Sequence, residues 1–293
     1  MAGVATRGAI GPVRSLSSLQ NPAVRLYRTL ARERVLEGDR QLVLLEGLHL
    51  LIEARAAGLS IKSAAFDRDL LTKPSIQSLA HALVAEGSDV LAVPTRVLAA
   101  VSPARTPSGV VSIAACSAQN VEAIFRRPRP LIVVTVDVQD PGNLGAIVRA
   151  CEAGGGTGVV SCGASADPFS WKALRGSMGS AFRLPVSRAN FDAAVVAGRA
   201  AGLRLFATVP RGGRALFDLD LTQPFAVIVG GEGSGLSPHV LSAADAHISI
   251  PMEPPVESLN VAISAALIVY EGYRQRLAAS AVQASRESRS QES

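Results

Sequence analysis

The sequence is poor in the residues that announce redox, metal or membrane chemistry. Its three cysteines, Cys116, Cys151 and Cys162, have no CxxC spacing. That pattern points to reduced, buried thiols in a cytosolic protein. The four histidines (His49, His81, His239, His247) are scattered, at no metal-ligand interval, and no metal site is expected. Aromatic residues make up only 4 % of the chain, so alanine, valine and leucine must build the cores. No apolar run approaches the roughly 18 residues needed to span a bilayer, and the N-terminus lacks a signal-peptide core. A cytoplasmic protein without membrane contact is the expectation.

What is present is length, positive charge and a change of texture. A chain of 293 residues suggests about two domains. The formal charge of +5, carried mostly by arginine, fits a polyanionic partner. Residues 1–14 are small and unpatterned and read as a flexible tail. Residues 15–116 read as a small α/β domain. Asn21-Pro22 starts a helix through Arg34, strands follow at 41–45, 61–66, 90–93 and 110–114, and further helices cover 48–57 and 76–86. Residues 117–129, with the Arg126-Arg127-Pro128-Arg129-Pro130 run, read as a solvated linker. From residue 130 to 277 strands near 131–138, 158–162, 204–208, 225–229 and 247–250 alternate with helices. That order implies a parallel sheet covered on both faces. A last helix is expected from Ser258 to Leu277, with Leu259, Ala262, Ile263, Ala266, Leu267 and Tyr270 on its main stripe; 278–293 read as a frayed tail.

Chemistry concentrates in three segments at strand ends, where open α/β sheets bind ligands. The first, Asp140-Pro141-Gly142-Asn143-Leu144-Gly145, leads to Arg149. Here Asn143 is expected to cap a helix. Arg149, one turn beyond Gly145, would be left unshielded by the missing side chain. The second, Gly230-Gly231-Glu232-Gly233-Ser234-Gly235, does not match G-x-G-x-x-G in any frame, which argues against a dinucleotide-dependent oxidoreductase. A glycine turn that admits a ligand to the backbone remains open, and Glu232 is a candidate base or a solvated loop carboxylate. The third runs from Ile250-Pro251-Met252 to Ser258-Leu259-Asn260. Ser258 could cap the last helix, and Asn260 could point back to the same pocket.

Taken together, the three segments resemble the SpoU/TrmH family of RNA ribose 2′-O-methyltransferases, of the SPOUT class, over residues 130–277. A looser likeness links residues 15–116, through Asn21-Pro22, Leu45-Glu46-Gly47 and Thr106-Pro107-Ser108-Gly109, to the L30e-like substrate-binding domain of many members. The resemblance implies an α/β SPOUT domain with a deep trefoil knot, an exception to ordinary threading rules, preceded by a smaller L30e-like α/β domain. It implies S-adenosylmethionine as cofactor, held by Thr208, Gly230, Ile250, Met252 and Leu259. Arg149, Asn143, Glu232, Ser258 and Asn260 stand where the family has its catalytic and active-site polar residues. A guanidinium stays protonated, so Arg149 is better suited to stabilise a developing alkoxide than to accept a proton.

Structured RNA is the implied substrate, ribosomal RNA (23S) ahead of transfer RNA. A catalytically silent RNA-binding protein on the same fold is the alternative. Arg25, Arg28, Arg32 and Arg34 recur at helical spacing and are candidate phosphate contacts. Val261, Ala265, Ile268 and Val269, off the main stripe of the last helix, imply burial on a second side. A homodimer through the C-terminal domain is therefore expected.

Overall fold

A computed structural model describes residues 13–117, 119–231, 233 and 235–291, with side chains as far as Ala281. The chain forms two compact units, one ending at Ser117 and the other comprising the remainder. Among the described residues no helix is long and apolar enough to cross a membrane, and no His, Cys, Asp and Glu cluster could hold a metal ion.

The first unit runs β1 (Arg14–Ser15), α1 (Pro22–Leu30), β2 (Val35–Glu37), β3 (Arg40–Glu46), α2 (Leu48–Ala56), β4 (Ser60–Asp67), α3 (Pro74–Ala85), β5 (Asp89–Val93), α4 (Thr95–Val101) and β6 (Val110–Cys116). Its mixed six-stranded sheet has the order β1-β5-β4-β6-β3-β2. Asn21 caps α1 by accepting from Ala23 N at 2.9 Å, with Pro22 in the first turn, where its missing N–H costs nothing. This helix stops at Leu30, short of the expected Arg34, because Val35–Glu37 pairs with β3 as an edge strand. Arg25 and Arg28 therefore share a helix, while Arg32 and Arg34 lie beyond it; all four are exposed.

The second unit runs α5 (Val121–Phe125), β7 (Leu131–Val136), α6 (Pro141–Ala153), β8 (Gly158–Cys162), α7 (Trp171–Ser177), β9 (Val186–Ala189), α8 (Phe191–Ala200), β10 (Arg204–Thr208), β11 (Arg214–Ala215), β12 (Phe225–Gly230), α9 (Pro238–Ser242), β13 (Ala246–Ser249) and α10 (Val261–Gln291). All seven strands are parallel, in the order β11-β13-β10-β12-β7-β8-β9. Every residue of β7 is buried, as a strand covered on both faces should be. The stretch read as a solvated linker contributes to this unit: Ile124 and Phe125 of α5 are 1 % exposed and belong to its core. An alternation signal cannot reveal a five-residue helix with two apolar anchors.

Two glycine contacts set the packing. A β-carbon on Gly145 would lie 2.4 Å from the Ala173 carbonyl oxygen, and one on Gly176 would lie 3.3 Å from the Gly145 Cα. Gly145 is thus a seat for α7 rather than a gap beside Arg149. Thr208 and Arg214 both pair with Ile248, from opposite sides of β13. The five residues between them must therefore cross one face of that strand. Gly213 lies directly on it, since its β-carbon would come 2.7 Å from the Ile248 carbonyl carbon.

The last helix starts at Val261 rather than Ser258 and continues past Leu277 to Gln291. Asn260 caps it, accepting from Ala262 N at 2.9 Å. Its buried stripe is Val261, Ala265, Ile268 and Val269 with Ala262 of the expected main stripe, whereas Ile263, Leu267 and Tyr270 of that stripe are exposed. Packing against α6 decides this, because Gly154 admits Val269 to its backbone.

The thiols of Cys116, Cys151 and Cys162 are free and buried. Burial pushes Cys151 and Cys162 up to about 12, from an ordinary value near 9. The folded state thus holds these protons more tightly than the unfolded chain. This contribution to stability is complete below pH 9 and lost as pH rises from 9 towards 12. Urea unfolding should accordingly show a lower midpoint at pH 10.5 than at pH 8, and Cys151→Ala should reduce that difference. An unchanged midpoint would contradict the assignment.

Candidate functional site

The carboxyl edge of the second sheet gathers the three chemical segments. A cavity of about 610 Å³ is lined by Thr208 and Pro210 at and beyond the end of β10, Val229, Gly230, Gly231 and Leu236 around the end of β12, and Ile250, Met252, Ser258, Leu259, Asn260 and Val261 leading into α10. It lies beside the point where strand order reverses, with β7 between β12 and β8. Such crevices are the usual ligand sites of open parallel sheets. Thr208, Gly230, Ile250, Met252 and Leu259 all line this one cavity, as do Ser258 and Asn260. Val209, Leu241 and Ser264 line it too, and sequence reasoning missed them because none belongs to the three chemical segments.

The glycines at the end of β12 are needed for contact, not only for flexibility. A β-carbon on Gly230 would sit 3.0 Å from the Gly235 carbonyl carbon and the Leu236 side chain. One on Gly231 would sit 1.9 Å from the Asp137 carbonyl oxygen. Gly231 N donates to Val136 O at 2.8 Å. Glu232 lies outside the described residues.

Asn143 and Arg149 stand on α6. The cap of that helix is Asp140, whose Oδ1 accepts from Asn143 N at 2.8 Å. Asn143 is therefore the third helical residue and not the cap. An Asp immediately before a first-turn proline is the signal that pointed to the cap. Released from capping, the Asn143 side chain accepts at Oδ1 from Asn260 Nδ2 at 3.1 Å. This bond joins the first and third segments across 117 residues of sequence. The guanidinium of Arg149 is exposed. One turn on, Glu152 is engaged by Arg183, with Nε to Oε1 at 2.7 Å and Nη2 to Oε2 at 2.9 Å. Burial raises the Glu152 carboxyl, but the Arg183 and Ser180 hydrogen bonds outweigh it and hold the group below its ordinary value. That carboxylate is thereby committed to Arg183.

In the first unit, the segments around Glu46 and Ser108 also meet. Buried Glu46 accepts from both Ser108 N and Ser108 Oγ at 3.0 Å. Gly47 has φ 104°, and a β-carbon there would crowd Ser108 Oγ.

Comparison with known proteins agrees with both units. The model of the SpoU rRNA Methylase family matches residues 130–270, and that of the MRM3-like substrate binding domain matches residues 21–112. A Synechocystis protein named as an uncharacterized tRNA/rRNA methyltransferase is 37 % identical over 92 % of this chain and 96 % of its own. The 23S rRNA (guanosine(2553)-2'-O)-methyltransferase of Bacillus subtilis is 29 % identical over 88 % of this chain and 98 % of its own. The AdoMet-bound rRNA methyltransferase of Sinorhizobium meliloti superposes with a TM-score of 0.79 at 31 % identity, covering 90 % of this chain and 98 % of that one. The chain belongs to the SpoU rRNA methylase family, with an MRM3-like substrate-binding domain ahead of the methylase domain.

Proposed function

We propose that the protein transfers a methyl group from S-adenosylmethionine to a ribose 2′-hydroxyl of 23S ribosomal RNA. The observation that carries this reading is the single cavity into which the family's cofactor-segment residues converge, with Asn260 tying it to the helix that bears Arg149. The residues suit the cofactor. At about 610 Å³ the cavity is within the usual size of small-molecule sites. Apolar Val229, Leu236, Ile250 and Leu259 offer a surface for a base. Gly230 and Gly231 bring backbone polar groups close, and Ser258 and Asn260 add side-chain ones. S-adenosylmethionine, when bound, supplies the electrophilic methyl group.

The protein's part is to orient the hydroxyl and manage its charge. Arg149 stabilises the alkoxide as it develops, because a guanidinium remains a cation throughout. Asn143, held by Asn260, orients the ribose or Arg149. Glu232 is the side chain of conventional basicity available to take the proton. The exposed arginines Arg25, Arg28, Arg32 and Arg34 offer phosphate contacts on the substrate-binding unit. An RNA substrate and three free thiols suit the cytoplasm.

The trefoil knot expected of the C-terminal segment has support in the crossing of residues 209–213 over β13. Val261, Ala265, Ile268 and Val269, from which a homodimer through the second unit was expected, are buried within the chain; its support in α10 is instead Ile263, Leu267, Tyr270 and Leu277, which are 52, 41, 48 and 53 % exposed. These lie at i, i+4, i+7 and i+14, one apolar face whose occupant is a second copy of this chain.

Mapping 2′-O-methyl groups in ribosomal RNA from cells with and without the gene tests the reaction. Loss of one site in 23S RNA is expected; loss confined to transfer RNA would overturn the substrate. Arg149→Ala should lower kcat by about 10²- to 10³-fold, with cofactor affinity in calorimetry changed less than about threefold; unaltered kcat would remove Arg149 from the chemistry. Gly230→Leu should weaken cofactor binding well beyond tenfold while RNA affinity holds, and the reverse pattern would refute the cavity assignment. Sedimentation equilibrium at micromolar concentration should return twice the 30.3 kDa chain mass, and Leu267→Glu should shift it to one.

A further inference from the structure

Asp137 follows β7 directly and precedes the Asp140 cap of α6 by three residues. Its φ of 58° lies in the left-handed region, which residues with a β-carbon seldom occupy and in which Asp and Asn are enriched. Such a conformation persists only where surrounding structure holds it.

Here the holding is specific. Asp137 N donates to Cys162 O at 3.3 Å, and its Oδ1 accepts from Ala164 N at 2.7 Å. Two glycines form a socket around it. A β-carbon on Gly163 would come 2.3 Å from Oδ1, and one on Gly231 would come 1.9 Å from the Asp137 carbonyl oxygen.

The flanking residues extend the junction. Val136 O accepts from Gly231 N at 2.8 Å, Val138 N donates to Ser165 Oγ at 3.0 Å, and Val138 O accepts from Ala166 N at 2.9 Å. Residues 136–138 therefore join three things: the loop after β8, the start of the glycine segment that lines the cavity, and the entry of the helix bearing Arg149. Asp137 itself does not line the cavity.

We propose that Asp137 is a positioning residue for methyl transfer, its left-handed turn and carboxylate fixing α6, and with it Arg149, against the glycine segment of the cofactor cavity. This rests on the methyltransferase reading above. A reacting group displaced by about 1 Å can lose on the order of 10² in rate without any loss of ligand contacts. The carboxylate oxygen matters separately from the turn, because glycine would accept the turn equally well and offer no acceptor to Ala164 N.

The test uses the full chain and two substitutions that both tolerate positive φ. Asp137→Gly keeps the turn and removes the acceptor; Asp137→Asn keeps both. Each is assayed for kcat with saturating S-adenosylmethionine and ribosomal RNA from cells lacking the gene. Cofactor Kd is measured by calorimetry, and amide exchange at Ala164 and Gly231 by NMR. For Asp137→Gly we expect kcat to fall at least tenfold with Kd changed less than threefold. Exchange should quicken at Gly231 as well as at Ala164, although Gly231 makes no bond to the deleted carboxylate. Asp137→Asn should stay within threefold of the parent in every measure. Faster exchange at Ala164 alone, or an unchanged kcat in Asp137→Gly, would overturn the proposal. A parent protein that transfers no methyl would overturn the reading of function instead, and the exchange at Gly231 would still decide whether Asp137 couples the two segments.

Discussion

Backbone approaching backbone without an intervening β-carbon is the constraint on which the second unit depends. Gly145 and Gly176 let α6 and α7 touch, Gly231 lies on the Asp137 carbonyl, and Gly213 lies on Ile248. Each contact brings a loop or helix closer than any other residue would allow. All four lie in loops or helices that follow strands of this sheet. One of them, Gly231, lines the cavity at the carboxyl edge of the sheet. Replacing a contact of this kind forces a shift of backbone, which a close-packed interior accommodates poorly.

The C-terminal helix closes the arrangement from the other side, and polar side chains hold it. Arg276 donates to the carbonyls of Arg129, Pro130, Leu221 and Gln223 and stacks over the Phe225 ring. Gln275 exchanges hydrogen bonds with Leu221 N and Leu219 O. Burial lowers the Arg276 guanidinium below its ordinary value, yet four carbonyls satisfy its donors. Anchored at mid-length, α10 presents Val261 and Ser264 to the cavity and Asn260 to Asn143. The site is thus fixed by residues three and four turns away along the same helix.

Much of this was legible in the sequence, for physical reasons that differ by element. The buried parallel strands were plain because short apolar runs bounded by turn residues have few other readings; Gly158–Cys162 and Arg204–Thr208 match at both ends. Edge strands such as Val35–Glu37 and Arg214–Ala215 were invisible, being two or three residues long with little apolar signal. The cavity residues came from resemblance, since nothing in their spacing says that Thr208 and Met252 meet. The caps were misread where two candidates stood close together, as with Asp140 and Asn143 or Ser258 and Asn260. The stripe on α10 was misread at Ile263, Leu267 and Tyr270 because that helix is apolar around most of its circumference, and glycine seats such as Gly154 and Gly272 select the face that packs inward.

The crossing at Ile248 works like a toggle passed beneath a buttonhole stitch. Strand β13 is flanked by β10 and β11 and covered by the five residues that join them. Residues 209–213 come before β13 in the chain, and they lie over it at Ile248. Unwinding the last turns of α10 leaves β13 paired on both sides, because its neighbours and the covering residues are held by the sheet and not by the helix. The wall of the cavity formed by Ile248 and Ile250 is in this way insulated from movement in the distal part of that helix.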